Sequence, residues 1–216
     1  HETKVTAIDT AAHTVTVEGE GTVRYDSLVI GTGWNYADPG VPGGDLQGLY
    51  YVKNIRRAME WDKVIDEAES AVVVEAGPLG VEMVTALAHR DVETHLIDPN
   101  PYPLAMMADP DIMAPVTESW REMGVHLHFN TTLEAFRGDS AGTVRAVQTS
   151  EGEIPADLVV ISTHKTPRNE LAEAAGIKIG TTGGIIVDER MKTSAPDVWA
   201  AGDAVEIPHG MTRTPL

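Results

Sequence analysis

The sequence predicts an α/β fold: a parallel sheet built from strand–helix–strand units, with β-rich segments before and after it. Three observations carry this expectation. Ala71-Val72-Val73-Val74 is an unbroken apolar run, as a strand buried on both faces requires. Gly77 and Gly80 follow it, then a helix-like run from Val81 to Ala88 and a second strand from Glu93 to Asp98. Short segments of alternating apolar and polar residues flank this unit on both sides, as half-exposed strands do.

In chain order, Val5–Asp9 and His13–Val17 alternate like the arms of a hairpin. Tyr25 to Gly33 enters a buried strand through Leu28-Val29-Ile30 and leaves it through glycines. Residues 38–48 are rich in Pro and Gly and read as a linker. Asn54 is placed to cap a helix running to about Glu69, with Ile55, Ala58, Met59, Val64 and Ile65 on or near one face. Lys53, Arg56 and Arg57 at its start read as an ordinary solvated basic face. After the strand–helix–strand unit, Asp111–Met123 is expected to be helical, with Pro115 in its first turns. Val125–Phe129 is a third strand. A meander around Gly138-Asp139-Ser140 follows, then the strand Ala156–Ser162. Asn169–Ala175 reads as a short helix, and Ile185–Asp188 and Val198–Ala201 as the last strands. Met106, Met107 and Met113 are expected to fill gaps in the core, as flexible thioethers do.

The totals narrow the function. With 216 residues, 42% of them hydrophobic, the chain can build one large domain or two small ones. A net charge of -17 repels nucleic-acid backbones, so no nucleic-acid partner is expected. Cysteine is absent, which excludes disulfides, thiolate zinc sites and a redox thiol within this stretch. No apolar run approaches the ~18 residues of a membrane span, and no signal-peptide pattern is present. No membrane partner and a cytoplasmic location are the resulting expectations.

The turn after Val74 carries the sharpest chemical signal. A dinucleotide fingerprint G-x-G-x-x-G uses its first glycine for a tight turn and its second for close approach to a pyrophosphate. The third lets helix pack on strand. Here the six positions read Glu75-Ala76-Gly77-Pro78-Leu79-Gly80, with glutamate in place of the first glycine. Asp98 ends the next strand, where a carboxylate accepts hydrogen bonds from an adenosine ribose. An acid there favours NADH, since NADPH calls for a basic residue and Pro99-Asn100 offers none. The alternative is a bare parallel-sheet turn. Near the other end, Val198-Trp199-Ala200-Ala201 stops at Gly202-Asp203, a carboxylate at a strand end that suits a ligand hydroxyl; its alternative is a plain Gly-Asp turn.

Four sets of residues in the same order resemble the pyridine nucleotide-disulfide oxidoreductases. They are Tyr25–Gly33 with Pro42-Gly43, the Val72–Met83 turn with Leu96-Ile97-Asp98, the stretch Asp157–Gly176, and Gly183–Glu206. The flavour is that of the coenzyme A-disulfide reductase and NADH oxidase branch. The resemblance implies a Rossmann-like three-layer NAD-binding domain at 44–176. Partial FAD-binding segments would flank it at 1–43 and 177–216. The chain would then be the central fragment of a longer flavoprotein, a homodimer when full length. In it NADH gives hydride to FAD, and the flavin passes electrons to a disulfide, oxygen or another small-molecule acceptor. By the same resemblance Gly77, Pro78, Leu79, Gly80, Glu82, Asp98 and His164 lie along NAD, and Gly202 and Asp203 hold FAD. No residue of this stretch is expected to be catalytic in itself.

Three departures from the family pattern stand out. Glu75 places a carboxylate near a pyrophosphate, at a cost of roughly 1–4 kcal/mol for charges ~4 Å apart. Pro78 stands where many members carry an aromatic lid, and His164 where a glycine is usual. These changes are expected to weaken or abolish dinucleotide binding. They keep open a second reading, a degenerate non-catalytic module with a structural or partner-binding role. His126 and His128 share a strand face, but the sequence supplies no evident third ligand, so they read as polar strand residues and no metal is expected. No serine sits on a strand-to-helix elbow, and no nucleophile triad is expected.

Overall fold

A computed structural model describes residues 3–53, 55–208, 210–211 and 214–215, and of Ile55, Arg56, Arg57 and Glu60 the backbone alone. The expected Asn54 cap and the side chains of Ile55, Arg56 and Arg57 therefore lie outside what is described. The chain forms two compact units, His1–Asn35 with Lys165–Leu216, and Tyr36–His164. The sequence reading drew its central domain as 44–176. Hydrogen bonds from Arg168 N–H to Gly33 and from the Thr166 hydroxyl to Asn35 tie the segment after 164 into the first unit.

The first unit opens with an antiparallel sheet of β1 (Val5–Asp9), β2 (Thr14–Val17) and β3 (Gly21–Arg24). The Asp9 carboxylate accepts from the N–H groups of Ala11 and Ala12 and so closes the β1–β2 turn. All four residues of β3 are exposed, so no periodic pattern marks it in the sequence. β4 (Leu28–Ile30) and β5 (Trp34–Tyr36) complete the segment.

The Tyr36–His164 unit contains β6 (Leu49–Tyr50), α1 (Ile55–Ile65), β7 (Ser70–Val74), α2 (Pro78–Ala88), β8 (Glu93–Asp98), α3 (Pro110–Glu122) and β9 (His126–Phe129). The antiparallel meander β10 (Leu133–Gly138), β11 (Val144–Thr149) and β12 (Gly152–Pro155) follows, then β13 (Leu158–Ile161). Five strands form a parallel sheet in the order β6-β13-β7-β8-β9. Its central strands are apolar on both faces because both faces are covered. Ala71, Val73, Leu96, Leu158 and Val160 pack against Trp61 and Ile65 of α1, Val84 and Leu87 of α2 and Trp120 of α3. On the other face Val72, Val74, Ile97, Val159 and Ile161 pack against Phe136, Val144 and Val147 of the meander. Helices, sheet and meander are the three layers of the expected α/β unit, and all five parallel strands end on one edge.

The methionine expectation holds in part. Met113 is buried on α3, but Met106 is 90% exposed and Met107 71% exposed. They sit in a run of turns before α3 rather than on a packed element, so they plug nothing.

The second segment of the first unit has β14 (Lys165–Pro167), α4 (Glu170–Ala174), β15 (Ile185–Ile186), β16 (Val198–Ala200) and β17 (Val205–Glu206). β16 runs parallel to β4, and β15 to β17. Ile30, Ala172, Ile177, Ile185, Val198 and Ala204 form their shared core.

Candidate functional site

Hydrogen bonds to its main chain fix the turn leaving β7. Glu75 N–H donates to the Ile97 carbonyl at 2.9 Å, and Leu104 N–H to the Ala76 carbonyl at 2.9 Å. The Ser162 hydroxyl, at the end of β13, lies 2.8 Å from the Val74 carbonyl and 2.5 Å from the Glu75 carbonyl. Asp98, only 3% exposed, accepts from Ala76 N–H at 2.5 Å on one carboxylate oxygen. Its other oxygen accepts from Asn100 N–H at 2.7 Å. Its first task is thus to lock the turn, and about two of its four lone-pair sites are left for a ligand.

The glycines divide by role. A Cβ on Gly80 would overlap the Glu75 carbonyl oxygen and lie 2.7 Å from Ser162 Oγ, so helix and strand close only on glycine. A Cβ on Gly77 would meet nothing nearer than the Ser162 carbonyl at 3.8 Å. Nothing inside the chain requires glycine there, and the space in front of it is open. Gly77 is the N-cap of α2 with no side-chain cap, and Pro78 holds the first helical position. The uncapped N-terminus leaves main-chain N–H groups and the positive end of the helix dipole facing outward, which suits an anion.

Glu75 adopts φ +69°, the left-handed conformation that glycine takes freely and other residues take at about 1–2 kcal/mol. This explains why a glycine belongs at that position. The carboxyl of Glu75 is half-buried beside His164. Burial pushes its pKa up, with His164 pulling the other way. It borders a cavity of ≈ 200 Å³ lined also by Val74, Ile97, Pro99, Leu133 and Thr163.

Pro78, Glu82 and the His164 side chain are exposed around this turn, and Leu79 is half-buried. The His164 carbonyl accepts from Ala37 N–H, and the neighbouring Thr163 hydroxyl donates to the Ala37 carbonyl at 2.7 Å. Glu82 stands near Tyr36, whose phenol donates to the Val52 carbonyl at 2.8 Å. Burial, then the Glu82 charge, pushes the Tyr36 pKa up to about 12. Sequence reasoning missed Ser162 and Tyr36. A small hydroxyl at the end of an apolar strand was the available signal for Ser162.

Gly202 and Asp203 belong to the other unit. Ala201 N–H donates to Ile30 where β16 ends, and Gly202 turns the chain at φ +79° into a 3₁₀ turn. The exposed Asp203 lines a groove of ≈ 350 Å³ with Trp34, Lys165, Pro167 and Thr182. Lys165 Nζ stands 4.5 Å from the Trp34 ring centre. A carboxylate, an ammonium and an aromatic face thus share one groove, a donor set suited to a polyhydroxylated, anionic ligand.

A second polar cluster lies on β8 and β9. The pair His95 and His126 stand opposite each other in the parallel register, with His128 opposite Ile97. Glu93 joins them. Burial, then the neighbouring His126, holds the pKa values of His95 and His128 down.

The family model for the pyridine nucleotide-disulphide oxidoreductases matches residues 1–215. An NADH oxidase of Methanocaldococcus jannaschii is 33% identical over 187 residues, covering 86% of this chain and 41% of its own length. The NAD-dependent persulfide reductase of A. fulgidus is similar in structure, with TM-score 0.93 and 35% identity over 100% of this chain and 40% of that one. The water-forming NADH oxidase from Lactobacillus brevis, solved bound to NADH, gives TM-score 0.91 and 28% identity over 99% of this chain and 48% of that one. The chain thus spans about two fifths to one half of these proteins.

Proposed function

The chain belongs to the pyridine nucleotide-disulphide oxidoreductase family, and from that premise we propose that it is the NADH-binding portion, with flanking flavin-domain segments, of an FAD-dependent oxidoreductase. The observation that carries the reading is the turn after β7. Its Gly77 is free of internal steric demand, while Gly80 is obligatory, and the turn is locked by Asp98. That pattern is what a pyrophosphate site needs and a bare turn does not.

In this reading Gly77, Leu79 and Gly80 present main-chain N–H groups to the pyrophosphate. Asp98 holds the adenosine ribose, and Glu82 and His164 border the nicotinamide end. Gly202 and Asp203 hold the flavin ribitol. Bound together, the two cofactors supply hydride transfer from NADH to FAD and onward delivery of electrons to a disulfide, oxygen or another acceptor. The chain's own work is to hold and orient them. Glu75 sets the affinity: its half-buried carboxyl works against a dianionic pyrophosphate. Among the described residues no helix is long and apolar enough to cross a membrane. A cytoplasmic homodimer is part of the same proposal.

A second reading, a non-catalytic module, draws on the same Glu75 and on His164. The flavin distinguishes them. The longer protein carrying this chain should purify yellow and be bleached by NADH without oxygen. A colourless protein, or a yellow one that NADH leaves oxidised, would turn the conclusion to the second reading.

A further inference from the structure

We propose that Glu93, His95 and His126 form a site for one borderline divalent cation of the zinc class, with His128 as its outer partner. This site lies on the β8–β9 edge of the sheet and plays no part in the dinucleotide reading. Among the described residues, one donor atom from each of the three side chains falls within 4.8 Å of the others. Glu93 Oε1 lies 3.4 Å from His95 Nε2 and 3.7 Å from His126 Nε2. Two ligands of a tetrahedral zinc at about 2.0–2.1 Å are separated by about 3.4 Å. The spacing of Glu93 to each histidine matches that separation, and a rotation of the exposed His126 ring out of its stack on His95 brings both Nε2 lone pairs onto one ion.

The rest of the cluster fits the same ion. His95 Nδ1 lies 3.1 Å from His128 Nε2. If His95 donates there through Nδ1–H, its Nε2 lone pair faces the Glu93 carboxylate oxygen. Two acceptors then confront each other, and a cation between them removes the conflict. A metal-bound histidine normally donates its other ring N–H to such a partner, which fixes its tautomer. The His95 side chain is only 14% exposed, so its ring is held by its surroundings. His126 and Glu93, at 53% and 60% exposed, leave the fourth position open to water. Two imidazoles and one carboxylate select zinc, cobalt or nickel over magnesium or calcium. The three ligands come from neighbouring strands, so the ion would clip the edge strand β9 to β8.

The test is calorimetric titration of ZnCl₂ into the chelator-stripped, tag-free chain. The expected result is one saturable equivalent, weakened at least ~100-fold by His126→Ala and by Glu93→Gln. His128→Ala should weaken it about 10–100-fold, as loss of an outer partner does. His89→Ala, on an exposed residue at the end of α2, should leave the affinity unchanged. Both ligand positions are exposed, so circular dichroism should show the variants folded. Absence of a one-to-one isotherm, or one that survives both His126→Ala and Glu93→Gln, overturns the proposal.

Discussion

At the tips of β7, β8 and β13 the polar side chains are held by main chain. Asp98 accepts from two backbone N–H groups, and the Ser162 hydroxyl lies within hydrogen-bond reach of the Val74 and Glu75 carbonyls. At the edge formed by β8 and β9, Glu93, His95, His126 and His128 meet one another instead. The same sheet thus carries a tip whose geometry is set by the fold and an edge whose geometry is set by side-chain chemistry. Changes at the tip should cost folding stability. Changes at the edge should spare it and act on whatever the side chains bind.

The largest effect is expected at Gly80. Gly80→Val forces side-chain atoms into the Glu75 carbonyl and Ser162, and should destabilise by at least ~3 kcal/mol, read as a lower urea midpoint. A midpoint within error of the parent would refute the packing argument. Asp98→Ala comes next. It strips two backbone N–H groups of a charged acceptor, one of them in a buried turn, and should cost about 2–4 kcal/mol. The exposed Asp203, changed to alanine, sharpens the contrast by costing no more than about 0.5 kcal/mol.

Glu75→Gly should move stability the other way. Relief of the left-handed backbone is worth about 1 kcal/mol, partly offset by the greater freedom of glycine in the unfolded chain. Loss of stability would show that the contacts of the Glu75 side chain with its surroundings outweigh the strain. The carboxyl of Glu75 also sets a pH dependence. Its pKa is raised in the folded chain, chiefly by burial, so its contribution to stability is fully present below the unfolded value. That contribution is lost as pH rises through the folded value. Proton uptake also weakens repulsion of a pyrophosphate, so NADH affinity should rise as pH falls toward that range. Glu75→Gln should flatten both trends in thermal and calorimetric series; unchanged slopes would point to another group. The smallest effect belongs to the edge, where His126→Ala in metal-free buffer should change stability by less than about 0.5 kcal/mol.

The sequence made most of the tip legible, because its signals are local. The apolar run before Gly77 and the acid ending β8 gave the strands, and β8 runs from Glu93 to Asp98 as anticipated. The missing first glycine was visible too, although its consequence, a left-handed glutamate, needed the backbone. What stayed hidden was non-local. His95 and His126 are brought together only by the register of β8 on β9, so no spacing in the chain announces a third ligand. Ser162 reaches the β7 turn only because β13 lies beside β7. β3 and β6 escaped notice because one is wholly exposed and the other is only Leu49–Tyr50. The exposed Met106 and Met107 show that an apolar side chain without periodicity around it says little about burial.

The most direct test of the central claim is a calorimetric titration of NADH into the parent chain and Glu75→Gly under identical conditions. If the tip of the sheet is a pyridine-nucleotide site restrained by Glu75, the glycine variant binds one NADH at least ~10-fold more tightly, as removal of ~1.4 kcal/mol of charge repulsion predicts. If neither protein binds NADH, or both bind it equally, the site is not the one described.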